Sequence, residues 1–381
     1  MQLNDFDTAT FLSDYWQKKP LLIRNPWMSW RNPLEPDELA GLACEDEVES
    51  RLITQTGGAW KLEHGPFAEA RFGKLGKKPW TLLVQAVDHH VPEVAALIAP
   101  FRFIPNWRID DVMVSYAADG GGVGPHFDQY DVFLVQGLGR RRWRIGARCD
   151  QASELLPHGD LRLLANFEAT DEWILEPGDI LYVPPGVGHD GVAVGDDCMT
   201  YSIGFRAPSR GELIARWSEH LVAEMRDDDR YADPDLQAQE NPGEISAQAI
   251  ARLHALVTET MLDRDAFARW FGEYQSVPKN PDMDWRPEAP IQVEALRERL
   301  ADGQPLCRNP ASRFSFVRRQ GGSVLLFVDG ERFECQEETA ALAATLCASD
   351  HVPIDRGLLQ SGDAIRLIST LFNQGSVILP G

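Results

Sequence analysis

The chain has 381 residues, 44% of them apolar and 25% charged, a balance that belongs to a folded protein and excludes a disordered or fibrous one. Its length exceeds what a single hydrophobic core usually serves, so a main domain with smaller companions is expected. The formal charge of -21 disfavours direct nucleic-acid binding, because bare phosphates would be repelled, and leaves a basic protein partner or plain solubility as its meaning.

The opening residues Met1-Gln2-Leu3-Asn4-Asp5-Phe6-Asp7 have neither the basic segment nor the apolar run of a secretory signal, and no stretch of about 18 apolar residues occurs. A soluble, cytoplasmic protein with no membrane partner is the expectation. Cys44, Cys149, Cys198, Cys307, Cys335 and Cys347 include no Cys-x-x-Cys pair and read as small buried hydrophobes rather than a disulfide framework or thiolate metal site.

In chain order, a helix is predicted over 8–16, a strand over 20–24 and a helix over 36–44. From about 108 to 205 the text changes to short β-type runs between glycine and proline punctuation: 109–117, 130–136, 140–145, 180–183 and 199–205. Such spacing predicts a barrel or sandwich of the cupin or jelly-roll kind. Beyond Pro208, Ser209 and Glu212 form a capping box, followed by Leu213, Trp217, Leu221 and Met225 at helical spacing. A second amphipathic helix carries Ile250, Leu253, Val257 and Met261 on one face. These faces must be buried, either on the barrel or in a symmetric dimer interface built on Leu213, Trp217, Leu253 and Val257. Residues 276–290 read as a proline-rich linker. A helix over 293–300, a hairpin turning at Asp329-Gly330 and helices over 340–347 and 363–372 then predict a small winged-helix-like domain, whose mixed charge does not argue for DNA reading. The domain boundaries expected are 1–208, 209–275 and 276–381.

The strongest chemical signal is Gly124-Pro125-His126-Phe127-Asp128, joined by His189 at the end of a Pro-Gly-Asp turn, an apolar strand and a Pro-Pro-Gly turn (176–189). In a strand, positions i and i+2 share a face, so His126 and Asp128 can meet one ion together. His189 from a distant strand completes two histidines and a carboxylate on one octahedral face, leaving three positions open, the arrangement of a non-haem Fe(II) oxygenase. His64, His89, His90, His158, His220, His254 and His351 have no comparable context and read as surface or packing residues.

Within Gly137-Leu138-Gly139-Arg140-Arg141-Arg142-Trp143-Arg144-Ile145, strand alternation puts Arg140, Arg142 and Arg144 on one face and Arg141 with Trp143 and Ile145 on the other. Arg141 therefore points into the barrel, where an unpaired guanidinium is costly. Its partner is either a dicarboxylate ligand or a protein carboxylate.

These motifs, with Trp16-Gln17-Lys18-Lys19-Pro20, Trp107-Arg108-Ile109-Asp110-Asp111, Asp128-Gln129-Tyr130-Asp131-Val132-Phe133 and Gly204-Phe205-Arg206-Ala207-Pro208, resemble the JmjC-type ribosomal oxygenases. Within that family they are most similar to the bacterial arginyl hydroxylases of large-subunit ribosomal protein sixteen. The likeness covers roughly the first 280 residues and thins over the last hundred. It implies a mainly β fold with α elements: a double-stranded β-helix JmjC barrel, a helical dimerisation region and a winged-helix-like C-terminal domain. It also implies Fe(II) at His126, Asp128 and His189, with O2 and 2-oxoglutarate as cosubstrates and 2-oxoglutarate contacts from Arg141 and Ser115. A basic ribosomal protein substrate and a homodimer follow from the same resemblance. Thr200 departs from it, since asparagine is expected there. Histidyl hydroxylation, lysyl demethylation, a cupin metalloenzyme without 2-oxoglutarate, and a ribosome-associated binding protein with a vestigial site stay open as rivals.

Overall fold

Residues 3–379 are described by a computed structural model, and they open on local signals. The Asp7 carboxylate accepts from the Ala9 amide at 2.9 Å and starts α1 (Thr8–Asp14), which buries Phe11. β1 (Leu21–Ile23) and α2 (Pro36–Leu42) follow, the helix carrying proline in its first turn and a Glu35/Glu38 capping box. Three strands then appear that apolar periodicity does not reveal: β2 (Ser50–Thr56), β3 (Ala59–His64) and β4 (Trp80–Val84). β3 lies at the sheet edge and has no fully buried position, so its alternation carries little apolar signal. The readable cue is Gly57-Gly58, whose φ values of 60° and 83° make the two-residue turn between paired Thr56 and Ala59.

A short helix, α3 (Pro92–Ala95), precedes β5 (Ile109–Ala117), β6 (Asp131–Arg148), β7 (Ala169–Leu175), β8 (Ile180–Val183) and β9 (Val187–Phe205). With β1 to β4 they form an antiparallel nine-stranded sheet in the order β1-β8-β6-β9-β5-β4-β2-β3, with β7 on β6, the jelly-roll arrangement of a cupin. The two strands expected over 130–136 and 140–145 are one. Their join survives because the register of β6 on β9 shifts on either side of Leu138, where Gly139 sits at φ 57°. A Cβ there would lie 2.6 Å from the Asp197 carbonyl oxygen, so the bend requires glycine.

Both faces of β6 are covered. Phe133 and Val135 pack with Phe11, Phe101, Tyr182 and Phe205, while Val132, Leu134, Trp143 and Ile145 pack with Leu175 and Leu181. Burial on two sides explains why 132–135 reads as an unbroken apolar run, and each such side chain contributes roughly 1.5–3 kcal/mol. Asp131 is fully buried between these layers and accepts from the Tyr182 hydroxyl at 2.6 Å and the Gln17 amide at 2.9 Å while pairing with Arg108 at 3.0 Å. Removing Arg108 would leave the buried Asp131 carboxylate without its charge partner, at a cost of about 3–5 kcal/mol, and Gln17 ties the N-terminal segment to the same carboxylate.

This sheet belongs to a compact unit running up to Ala207 and joined by Lys279–Asp284 and Asn309–Ala311; the remaining residues form a second unit. The second unit begins at the expected Ser209/Glu212 capping box with α4 (Arg210–Glu224), then α5 (Ala247–Met261), α6 (Arg264–Ser276) and α7 (Val293–Ala301). β10 (Leu306–Arg308), β11 (Phe314–Arg318), β12 (Val324–Val328) and β13 (Glu331–Cys335) follow, β12 and β13 turning at Asp329-Gly330 as the sequence predicts. α8 (Glu337–Ala348), β14 (His351–Val352), α9 (Arg356–Gln360), α10 (Gly362–Asn373) and β15 (Val377–Ile378) complete a winged-helix arrangement around Leu296, Leu326, Leu346 and Ile368.

Trp217 corrects the expected dimer face. It is buried within its own chain against Leu221 and Trp270, with the two indole rings 5.2 Å apart and its Nε1 donating to the Met261 carbonyl. The aromatic side chains of α6, Phe267 and Trp270, supply this cover. α5, by contrast, buries no residue, and Ile250, Leu253, Leu256 and Val257 are exposed on it.

Candidate active site

A cavity of about 450 Å³ lies in the barrel unit, and His126, Asp128 and His189 line it. Their ligand atoms all fall within 4.8 Å of one another, with Asp128 Oδ2 3.9 Å from His126 Nε2 and 3.6 Å from His189 Nε2. Regular strand geometry is not what aligns the first two, contrary to the sequence expectation. Both lie between β5 and β6, and His126 meets the sheet through a single bridge, its N–H donating to the His189 carbonyl at 3.0 Å and its carbonyl accepting from the His189 N–H at 2.8 Å. A longer ladder is interrupted at Pro125, which has no N–H, and at Gly124, whose φ is 91°. The Pro-Pro-Gly turn that precedes His189 also fastens the acidic residue, since Gly186 N–H donates to the Asp128 carbonyl at 2.7 Å.

Each imidazole is set by its other nitrogen. His126 Nδ1 lies 2.8 Å from the Gly124 carbonyl and His189 Nδ1 3.0 Å from the Val187 carbonyl, so both donate from Nδ1 and keep the Nε2 lone pair free. Burial and the neighbouring His126 hold His189 down at about 4, which keeps it neutral and able to ligate near neutral pH. Two imidazoles and one carboxylate are a donor set suited to Fe(II).

Arg141 lines the same cavity and is 2% exposed, and burial alternates along 141–145 as the strand period predicts. Its Nη2 has no hydrogen-bond partner among the described residues. A buried guanidinium donor without an acceptor is the fit expected for a site that receives an anion. Ser115, also lining the cavity, is buried, and its hydroxyl lies 3.5 Å from the Thr200 carbonyl. Thr200 lies on the same wall, and its hydroxyl donates to Gln136.

Sequence reasoning passed over the acidic side of the cavity. Asp110 and Asp111 are consecutive, which in a regular strand would send them to opposite faces. The register of β5 on β9 shifts between Ile109 and Val112, and both carboxylates reach the cavity lining and Lys279 Nζ, each at 3.0 Å. Gln85 and the Ala86 amide also donate to Asp111. The Asp-Asp pair was visible in the text; the bulge was not.

Comparison with known proteins agrees with this geometry. The JmjC domain family matches residues 96–213, and a ROXA-like winged helix family matches residues 258–377. The ribosomal protein uL16 3-hydroxylase of Escherichia coli (strain K12) is 39% identical over 367 residues, 96% of this chain and 95% of that protein. A probable ribosomal oxygenase of Haemophilus influenzae is 38% identical over 68% of this chain and 66% of its own. The structure of the ribosomal oxygenase YcfD from Escherichia coli in complex with cobalt and 2-oxoglutarate superposes with a TM-score of 0.87 at 36% identity, covering 100% of this chain and 99% of that one. The likeness therefore extends through the last hundred residues, where motif text alone had thinned. An identity of this level over nearly the whole of both chains makes this protein a member of the JmjC ribosomal oxygenase family.

Proposed function

We propose that this chain is an Fe(II)- and 2-oxoglutarate-dependent dioxygenase that hydroxylates an arginine side chain of ribosomal protein uL16, the large-subunit protein sixteen of the resemblance. One observation carries the reading: a His-Asp-His ligand set and a buried guanidinium with an unpartnered Nη2 share a single cavity. In this reading His126, Asp128 and His189 would hold the iron, and Arg141 with the Ser115 hydroxyl would bind the far carboxylate of 2-oxoglutarate. Iron and 2-oxoglutarate, when bound, would supply the oxidising equivalents for hydroxylation by O2, with succinate and CO2 as coproducts. The chain's residues orient the ligands and exclude water; no side chain is required as acid, base or nucleophile.

Asp110 and Asp111 put two carboxylates on the cavity lining, beside Arg51 and Arg206, and a substrate guanidinium is a group such carboxylates can pair with. The net charge of -21 steers a basic ribosomal protein in the same direction. Incubating uL16 with the iron-loaded protein, 2-oxoglutarate and O2 should add one oxygen to a single arginine, read by fragment mass spectrometry. Oxygen on a histidine, or loss of a lysine methyl group, would replace the substrate reading; no 2-oxoglutarate turnover at all would favour a vestigial site.

The same reading places the protein in the cytoplasm, and no helix among the described residues is long and apolar enough to cross a membrane. It also makes the protein a homodimer through the exposed Ile250, Leu253, Leu256 and Val257 of α5, a cluster that singly scattered surface residues do not form. Sedimentation at micromolar concentration should give a dimer, and the double substitution Leu253→Asp with Val257→Asp should give a monomer. A wild-type monomer would end that part of the proposal.

A further inference from the structure

Among the described residues, no carboxylate holds Arg141. Its Nε donates to the sulfur of Cys198 at 3.4 Å, and its guanidinium carbon lies 5.8 Å from the Trp143 ring centroid. Cys198 is completely buried, packed with Ala117 and Ala193. Gln136, also completely buried, directs its Nε2 at the same sulfur at 3.6 Å. That amide is fixed in turn: the two N–H groups of Nε2 go to the nearer Leu138 and Met199 carbonyls at 2.7 and 3.2 Å, leaving the sulfur a shared contact, and Oε1 accepts from the Thr200 hydroxyl at 3.2 Å. A connected set of buried groups thus runs between two residues of the cavity wall, Thr200 and Arg141, across the bent middle of β6 and β9. Threonine in place of the expected asparagine keeps a donor at the start of it.

We propose that Cys198 is a positioning residue for 2-oxoglutarate: its sulfur, packed against Gln136, sets the roll of the Arg141 guanidinium on the cavity wall. The proposal rests on the reading of Arg141 as the anchor of the far carboxylate. A flexible arginine side chain loses much of its value as a clamp unless its orientation is fixed beforehand. A carboxylate could fix it but would also neutralise it and compete with the ligand. Sulfur is a weak, neutral acceptor, so it orients the guanidinium while leaving its charge for the incoming anion.

Titration of 2-oxoglutarate into manganese(II)-loaded protein by calorimetry reads binding without turnover. Cys198→Ala deletes the acceptor and should weaken 2-oxoglutarate by about fivefold, the size of one modest hydrogen bond, and raise its KM alike with kcat little changed. Cys198→Ser shrinks the residue comparably but keeps an acceptor, and should recover most of the loss. Equal effects of the two substitutions, or none from either, would overturn the positioning role provided that Arg141→Ala still weakens binding by about tenfold. A parallel fall in manganese(II) affinity in Cys198→Ala would overturn it too, since the sulfur is not a ligand. If Arg141→Ala itself leaves 2-oxoglutarate affinity unchanged, the underlying reading of Arg141 fails, and the two failures are thereby told apart.

Discussion

His126→Ala and Asp128→Ala should each lower 2-oxoglutarate turnover by about a hundredfold or more, because removing even a group that merely orients a metal ligand costs roughly ten- to a hundredfold. These two positions give the cleaner test of the metal site than His189 does. His126 and Asp128 sit outside the strands with side chains 24% and 22% exposed, whereas the His189 side chain is 3% exposed and its ring lies against Trp143. Truncating His189 would combine loss of a ligand with a packing defect. His126 is also joined to β9 by main-chain bonds that alanine retains. Both variants should therefore melt close to the parent while succinate formation disappears. Turnover at the parent rate in either one, with iron supplied at saturation, would remove it from the ligand set.

Arg141→Ala should raise the KM for 2-oxoglutarate by at least about tenfold, the loss of a charge-assisted, two-pronged contact, with iron affinity little changed. Arg142→Ala is the control. It lies one residue along the same strand, half-buried and on the other face, and does not line the cavity. Its substitution should leave that constant nearly unchanged. Were the run from Arg140 to Arg144 a patch for an acidic partner, both variants would behave alike and neither would touch cosubstrate kinetics. Succinate formation measured against 2-oxoglutarate concentration decides between the two, and equal small effects would take away the main reason for preferring an oxygenase to a generic metal cupin.

Periodicity and spacing were enough to see strands at 109–117 and 180–183, the inward direction of Arg141, the Ser209/Glu212 cap and the Asp329-Gly330 hairpin. Each is decided within a few residues by side-chain alternation, an orphan N–H at a helix start, or a turn needing positive φ. The likeness of the His126, Asp128 and His189 motifs to a known family was legible for a similar reason, since the motif residues stand in short, dense text. Edge strand β3 was not legible, because half-exposed positions leave no apolar pattern to read.

What lay beyond the sequence depended on which distant segments meet. Trp217 stands at helix spacing suited to a partner subunit, yet Phe267 and Trp270, some fifty residues on, cover it within the chain. Consecutive Asp110 and Asp111 reach one cavity only because β5 slips its register against β9. The inward pointing of Arg141 followed from the strand period alone. That its Nε rests on the sulfur of Cys198, 57 positions away, and not on a carboxylate, was set by the pairing of two bent strands, a long-range contact that local sequence pattern does not encode.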